Sequence, residues 1–144
     1  MVDIYVHYDG ALRCSAKHGP SETSFLTDAP VDNHGKGESF SPTDLVATAL
    51  GTCMLTTMGI LANRLGWNIE GIDAHVKKHM TRELPRRIEK LEVTLTVPDE
   101  VAGRLDLAAR AELEQAAHNC PVRISVHPQM EVPTTFRWGS ADQR

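Results

Sequence analysis

The chain reads as α+β, and three observations carry that reading. An uncharged apolar stretch of 18 residues, Leu45 to Ala62, is far too long for a strand. Segments on either side of it alternate apolar and polar residues, with the two-residue period of half-buried strands. A second stretch, opening at Pro98-Asp99-Glu100, repeats its apolar residues at helical spacing before a last alternating run. The order is strands, helix, strands, helix, strand. At 144 residues the chain is expected to be a single domain over 1–144, able to bury a sizeable core.

Residues 2–7 alternate, and Tyr8-Asp9-Gly10 reads as a turn. Residues 11–17 and 22–27 read as further strands, parted by His18-Gly19-Pro20, which gives an antiparallel meander. Residues 28–40, rich in Gly, Asp and Asn, read as a loop. Ser41-Pro42-Thr43-Asp44 is a helix start: Ser41 caps, Pro42 suits the first helical position, and Asp44 completes a capping-box-like pattern. That helix is expected to run to about Leu65 and stop at Gly66. Residues 69–78 and 88–97 read as strands, with Ile88, Leu91, Val93, Leu95 and Val97 as the apolar set of the second. One helix is then expected from about Pro98 to Pro121, with Val101, Leu105, Ala108, Ala109, Leu113, Ala116 and Ala117 at helical spacing on its inward stripe. Met130 to Trp138 closes the chain as a strand.

Leu45–Ala62 lies at the lower edge of membrane-span length. It carries four threonines and two glycines, so it is only weakly apolar, and it is read as a buried core helix with no membrane partner. The net charge of −4 and the lack of a basic run argue against nucleic acid. No apolar signal segment is visible at the N-terminus, so a cytoplasmic location with reduced thiols is expected for the three cysteines.

Cys53 and Cys120 are the candidate chemical residues. Cys53 lies inside the long apolar helix, as a buried thiol. Its alternatives are a small packed core residue or a nucleophile, and a nucleophile there needs a cation or donor to offset desolvation. Cys120, in Asn119-Cys120-Pro121-Val122, continues the inward stripe of the second helix and sits where that helix stops. The negative end of the helix dipole disfavours its thiolate. One thiol attacking and one resolving suits thiol peroxide chemistry. Cys14, on a predicted strand beside Arg13, reads as structural. Seven histidines are present, but no HExxH or CxxC spacing occurs, so no metal is expected.

Ser-Pro-Thr-Asp-Leu-Val at 41–46, the helix through Leu50-Gly51-Thr52-Cys53-Met54, and Asn119-Cys120-Pro121-Val122 resemble the OsmC/Ohr family. These are osmotically inducible and organic hydroperoxide resistance proteins, and the resemblance covers nearly the whole chain. It implies antiparallel sheets packed around a long central helix, in an intertwined homodimer. It implies a cofactor-free thiol peroxidase that reduces organic hydroperoxides. Cys53 matches the peroxidatic position and Cys120 the resolving one, and a dithiol or lipoylated protein would recycle the disulfide. The Ohr branch places an arginine before the first Asp-Gly turn and a glutamate after the proline of the helix start. Here those positions hold Tyr8 and Thr43, so the chain resembles a less characterised OsmC-like branch rather than Ohr proper. Arg13 and Arg123 are the substitute candidates for activating Cys53, and Met54, Met58 and Phe40 for lining an apolar pocket. Two alternatives stand beside the peroxidase: a module binding a small hydrophobic ligand, and a thiol–disulfide or sulfur-transfer enzyme.

Overall fold

The computed structural model describes residues 1–140, and the chain divides into two units, Met1–Val46 and Ala47–Arg144. In the first, strands β1 (Ile4–Gly10), β2 (Arg13–His18) and β3 (Ser24–Thr27) form the expected antiparallel meander. Ile4, Val6 and Tyr8 stand opposite His18, Ala16 and Cys14, and Ala16 pairs on its other side with Phe25. Strand alternation puts these side chains on one face, and that face is solvent-exposed at Ile4, Val6, Tyr8 and Phe25.

The first turn falls later than its sequence signal. β1 continues through Gly10, and the turn is Ala11-Leu12, with φ of 50° and 62°. Two successive positive φ values suit a two-residue hairpin, which ordinarily recruits Asn and Gly. Here Gly10, at φ 87°, serves a register shift after Tyr8 instead. The Leu12 N–H is satisfied by the Tyr8 hydroxyl at 3.3 Å.

Residues 28–40 form the expected loop, with one short 3-10 turn at Val31–Asn33. Helix α1 (Pro42–Leu65) then starts as read. Ser41 Oγ accepts the Asp44 N–H at 3.2 Å, and Asp44 Oδ2 accepts the Ser41 N–H at 2.8 Å. That reciprocal pair is a capping box. The helix ends at Gly66, whose φ of 72° is the left-handed closure glycine allows.

The second unit holds β4 (Asp73–Met80), β5 (Ile88–Val97) and β6 (Thr134–Trp138) in that spatial order. β4 and β5 are antiparallel, but β5 and β6 run parallel, so this sheet is mixed and corrects the expectation of antiparallel sheets throughout. The chain passes through α2 (Asp99–Ala102), α3 (Leu107–His118) and α4 (Pro121–Ser125) between β5 and β6. Such a crossover is what a parallel pair requires.

Three helices therefore replace the single one expected. Gly103 closes α2, and Asp106 opens α3 by accepting the Ala109 N–H on Oδ1 at 2.8 Å. Asn119 caps the end of α3, and Pro121 starts α4 rather than stopping its predecessor.

The core of this unit is built where the periodic patterns meet. Leu50, Met54 and Met58 of α1, Leu91, Val93 and Leu95 of β5, and Leu113 and Ala117 of α3 have no exposed surface. Each of the larger side chains contributes about 1.5–3 kcal/mol of burial. By length and composition α1 is able to cross a membrane, but its stripe at Ala47, Leu50, Gly51, Met54, Met58 and Ala62 is buried within the chain. Gly51 sets the helix close to β4: a methyl there would lie 3.0 Å from Val76 Cγ2 and 3.7 Å from Ala74 Cβ.

Candidate active site

Both candidate cysteines lie in the second unit, and the fold makes them neighbours. Cys53, in the middle of α1, sits beside the buried stripe of that helix rather than within it and is half-buried. Cys120, between α3 and α4, is fully buried. Cys120 faces the core as its place on the inward stripe predicts, whereas Cys53, expected to be buried, is only partly so. Cys53 lies close enough to Cys120 to push its pKa up, and all three cysteines are free.

The electrostatics of Cys120 also differ from the expectation. It is the N-cap of α4 and not merely the sequel to α3: its Sγ accepts the Arg123 N–H at 3.3 Å. Pro121 at the first position of α4 fixes the backbone that aims this donor. Burial is the foremost influence on the thiol and pushes its pKa up. The Arg123 N–H pulls it down, the nearby Cys53 adds to the upward push, and the Val122 N–H opposes it. The outcome is raised, so Cys120 favours its neutral thiol. The α3 dipole was the expected reason for a disfavoured thiolate; burial is the foremost cause in the structure.

Two of the residues expected to line a pocket do not do so. Met54 and Met58 are closed in the core with no exposed surface, while Phe40, in the first unit, is exposed. Arg123 reaches Cys120 through its backbone N–H; its side-chain Nε is buried without a hydrogen-bond partner.

Arg13 belongs to the first unit, where two carboxylates hold it. Its guanidinium donates to Asp28 Oδ2 at 3.3 Å and to Glu38. Asp28 is buried and also accepts the Glu38 N–H at 3.0 Å. That N–H foremost, with the Arg13 charge, holds the Asp28 carboxyl below its usual range against the cost of burial. The contact with Glu38 foremost raises the pKa of Arg13. Asp28 and Glu38 were not singled out in the sequence; the acidic content of loop 28–40 was the available signal. Tyr8 is exposed on β1, and Thr43 Oγ1 lies 3.1 Å from Ser41 Oγ within the helix cap. Asp44, the nearest carboxylate to Thr43, is engaged in that same cap. Cys14 is half-buried on β2, opposite Tyr8 and Thr27.

The histidines do not gather. His75 and His79 lie on one face of β4, where His79 Nε2 is 3.5 Å from Glu92 Oε2. Among the described residues, no group of three or more His, Cys, Asp or Glu is placed to hold a metal ion.

Comparison with known proteins bears on what this pair of thiols is for. The family model described as OsmC-like protein matches residues 35–135, which spans Cys53 and Cys120. The chain belongs to the OsmC family. A protein of Psychrobacter arcticus 273-4, named for osmotic stress induction and a detoxification response, has a structure similar to this OsmC chain. The two are 42% identical with a TM-score of 0.87, over 95% of this chain and 96% of that one. The organic hydroperoxide resistance protein OsmC of Legionella pneumophila shares the fold at 16% identity and a TM-score of 0.71, over 95% and 96% of the two chains. So does an organic hydroperoxide resistance protein of Elizabethkingia anophelis, at 15% identity and a TM-score of 0.74, over 95% of each chain. No match is found among curated proteins.

Proposed function

We propose that this OsmC chain is a cytoplasmic thiol peroxidase for organic hydroperoxides, working without a cofactor. The observation that carries the reading is the proximity of a half-buried Cys53 to a fully buried Cys120 whose pKa it helps to raise. In the first step the Cys53 sulfur attacks the terminal peroxide oxygen. The O–O bond breaks, the alcohol departs with a proton, and Cys53 becomes a sulfenic acid, oxidised by two electrons. In the second, the Cys120 sulfur attacks the sulfenic sulfur, its proton leaves with the hydroxyl as water, and a Cys53–Cys120 disulfide remains. A dithiol, including a protein-bound lipoyl group, then returns both thiols.

The same reading includes a homodimer. The exposed apolar face at Ile4, Val6, Tyr8 and Phe25 suits cover by a second copy. Tyr8 and Thr43, at the positions of the Ohr arginine and glutamate, favour a second reading as a binding module for a small hydrophobic ligand. A thiol–disulfide or sulfur-transfer enzyme is the third.

The test is mass spectrometry of the reduced protein after one equivalent of an organic hydroperoxide, beside hydrogen peroxide, with Cys53→Ser as control. Fast formation of the Cys53–Cys120 disulfide, faster with the organic peroxide and absent in the variant, is expected. If both thiols stay reduced, the peroxidase reading fails and the binding module takes its place. A disulfide that forms with oxidised thiols but not with peroxide points to the third reading.

A further inference from the structure

The two sulfurs of the proposed disulfide are not equivalent, and the structure separates their roles in the step that reopens it. A disulfide is reduced by a thiolate approaching along the S–S axis, so one sulfur receives the attack and the other departs. Which is which depends on access and on how well the departing sulfur carries charge. Cys120 has no exposed surface, whereas Cys53 is half-buried beside the inward stripe of α1. Burial disfavours charge on Cys120 and the Arg123 N–H at 3.3 Å from its Sγ offsets only part of that cost, so access is what decides which sulfur is attacked.

We infer that the reducing dithiol attacks Cys53 Sγ and that Cys120 is the leaving group, so the mixed disulfide with the reductant forms on Cys53. This rests on the proposal above that Cys53 and Cys120 become joined. In the step, a reductant thiolate forms an S–S bond to Cys53 while the Cys53–Cys120 bond breaks. The electron pair goes to Cys120 Sγ, held first by the Arg123 N–H. Burial favours the neutral thiol, so Cys120 then takes up a proton, the equivalent of the one the reductant lost on ionising. The second reductant thiol attacks the mixed disulfide at the reductant's own sulfur and releases Cys53 as thiolate. Two electrons have passed from the dithiol to the protein. Arg123 is a positioning residue here, acting through its main chain.

The experiment forms the disulfide with diamide, which requires no peroxide. It is then exposed briefly to glutathione, a monothiol that stalls at the mixed disulfide. Acid quench, alkylation and peptide mapping locate glutathione among Cys14, Cys53 and Cys120. The expected result is glutathione on Cys53 and alkylation on Cys120, in excess over the reverse by at least about tenfold. A second measurement starts from thionitrobenzoate disulfides made on Cys53 in Cys120→Ser and on Cys120 in Cys53→Ser. Dithiothreitol should release the chromophore at least about tenfold faster from Cys53. Glutathione on Cys120, an even split, or equal release rates would overturn the inference, as would failure of diamide to join the pair. A disulfide that forms with diamide but not with an organic hydroperoxide, and then opens at Cys53, sinks the peroxidase reading while supporting this one.

Discussion

Replacing Cys120 by serine or by alanine separates packing from capping. The side chain is fully buried, and its sulfur accepts the Arg123 N–H at 3.3 Å as the N-cap of α4. Alanine removes both contributions: about 1 kcal/mol for the cap and about 1 kcal/mol for the buried sulfur and the gap it leaves. Serine gives up the same apolar burial but keeps the acceptor, and oxygen accepts from N–H better than sulfur does. An unpartnered buried hydroxyl would cost roughly 1–3 kcal/mol, but here the backbone conformation at position 120, φ −65° and ψ 143°, is extended as an N-cap requires. Alanine is therefore expected to destabilise by about 2 kcal/mol and serine by about 1 kcal/mol. The assay is urea unfolding of the reduced proteins, followed by far-UV circular dichroism at one fixed protein concentration. Midpoints are compared at unchanged slope. If the alanine variant is as stable as the serine variant, the cap contributes nothing net, and Cys120 is held by packing alone.

Three further outcomes follow from contacts described above. Asp106→Ala removes the cap of α3 and should destabilise by about 1 kcal/mol, read by the same unfolding midpoint. Gly51→Leu places a side chain where even a methyl meets Val76 Cγ2 at 3.0 Å. A loss of at least about 2 kcal/mol is expected, and a neutral result would show that α1 can stand further from β4. Asp28 has a depressed pKa in the folded chain. Its contribution is therefore present above the unfolded carboxyl pKa and is lost as pH falls through the folded one. Asp28→Asn should lower stability at neutral pH and flatten its decline with acid. An unchanged acid limb in a pH series of unfolding midpoints would refute the role given to the Arg13–Asp28 pair.

The order of elements and both cysteine positions were legible because they rest on local patterns. The capping box at Ser41 and Asp44, the stop at Gly66 and the alternation of β5 depend on residues within a few positions of one another. What was misread depended on partners further along the chain. Asp9-Gly10 carries a strong turn signal, but the register with β2 uses Gly10 for a bulge and gives the turn to Ala11-Leu12. The apolar stripe from Val101 to Ala117 is continuous, so the break before Asp106 hid behind periodicity that two helices share. The parallel direction of β6 is set by the path through α2 to α4, which no residue of β6 encodes. At the site, Cys53 is only half-buried because it lies beside, not within, the stripe of Leu50, Gly51, Met54 and Met58 that α1 turns to the core. That is a property of packing, not of the apolar run. The pairing of Arg13 with Asp28 and Glu38 spans 15 and 25 residues, beyond the reach of any local rule.

The parallel pairing of β5 with β6 has a consequence for how the chain is made. Val97 and Trp138 are register partners with about 40 residues between them. At the pace of translation, roughly 5–20 residues per second, β6 reaches its partner about 2–8 seconds after β5 has emerged. During that interval β5 holds β4 on one edge and offers an unpaired edge along Val93–Val97 on the other. The helices made in the meantime, α2 and α3, bury the sheet's apolar face but supply no strand for that edge. A ribosome pausing between Asp99 and Pro133 would lengthen the exposure of this edge, and a chain truncated before Thr134 would never close it. Synthesis at low temperature or on a stalled message is thus the condition under which this protein should be most prone to aggregate.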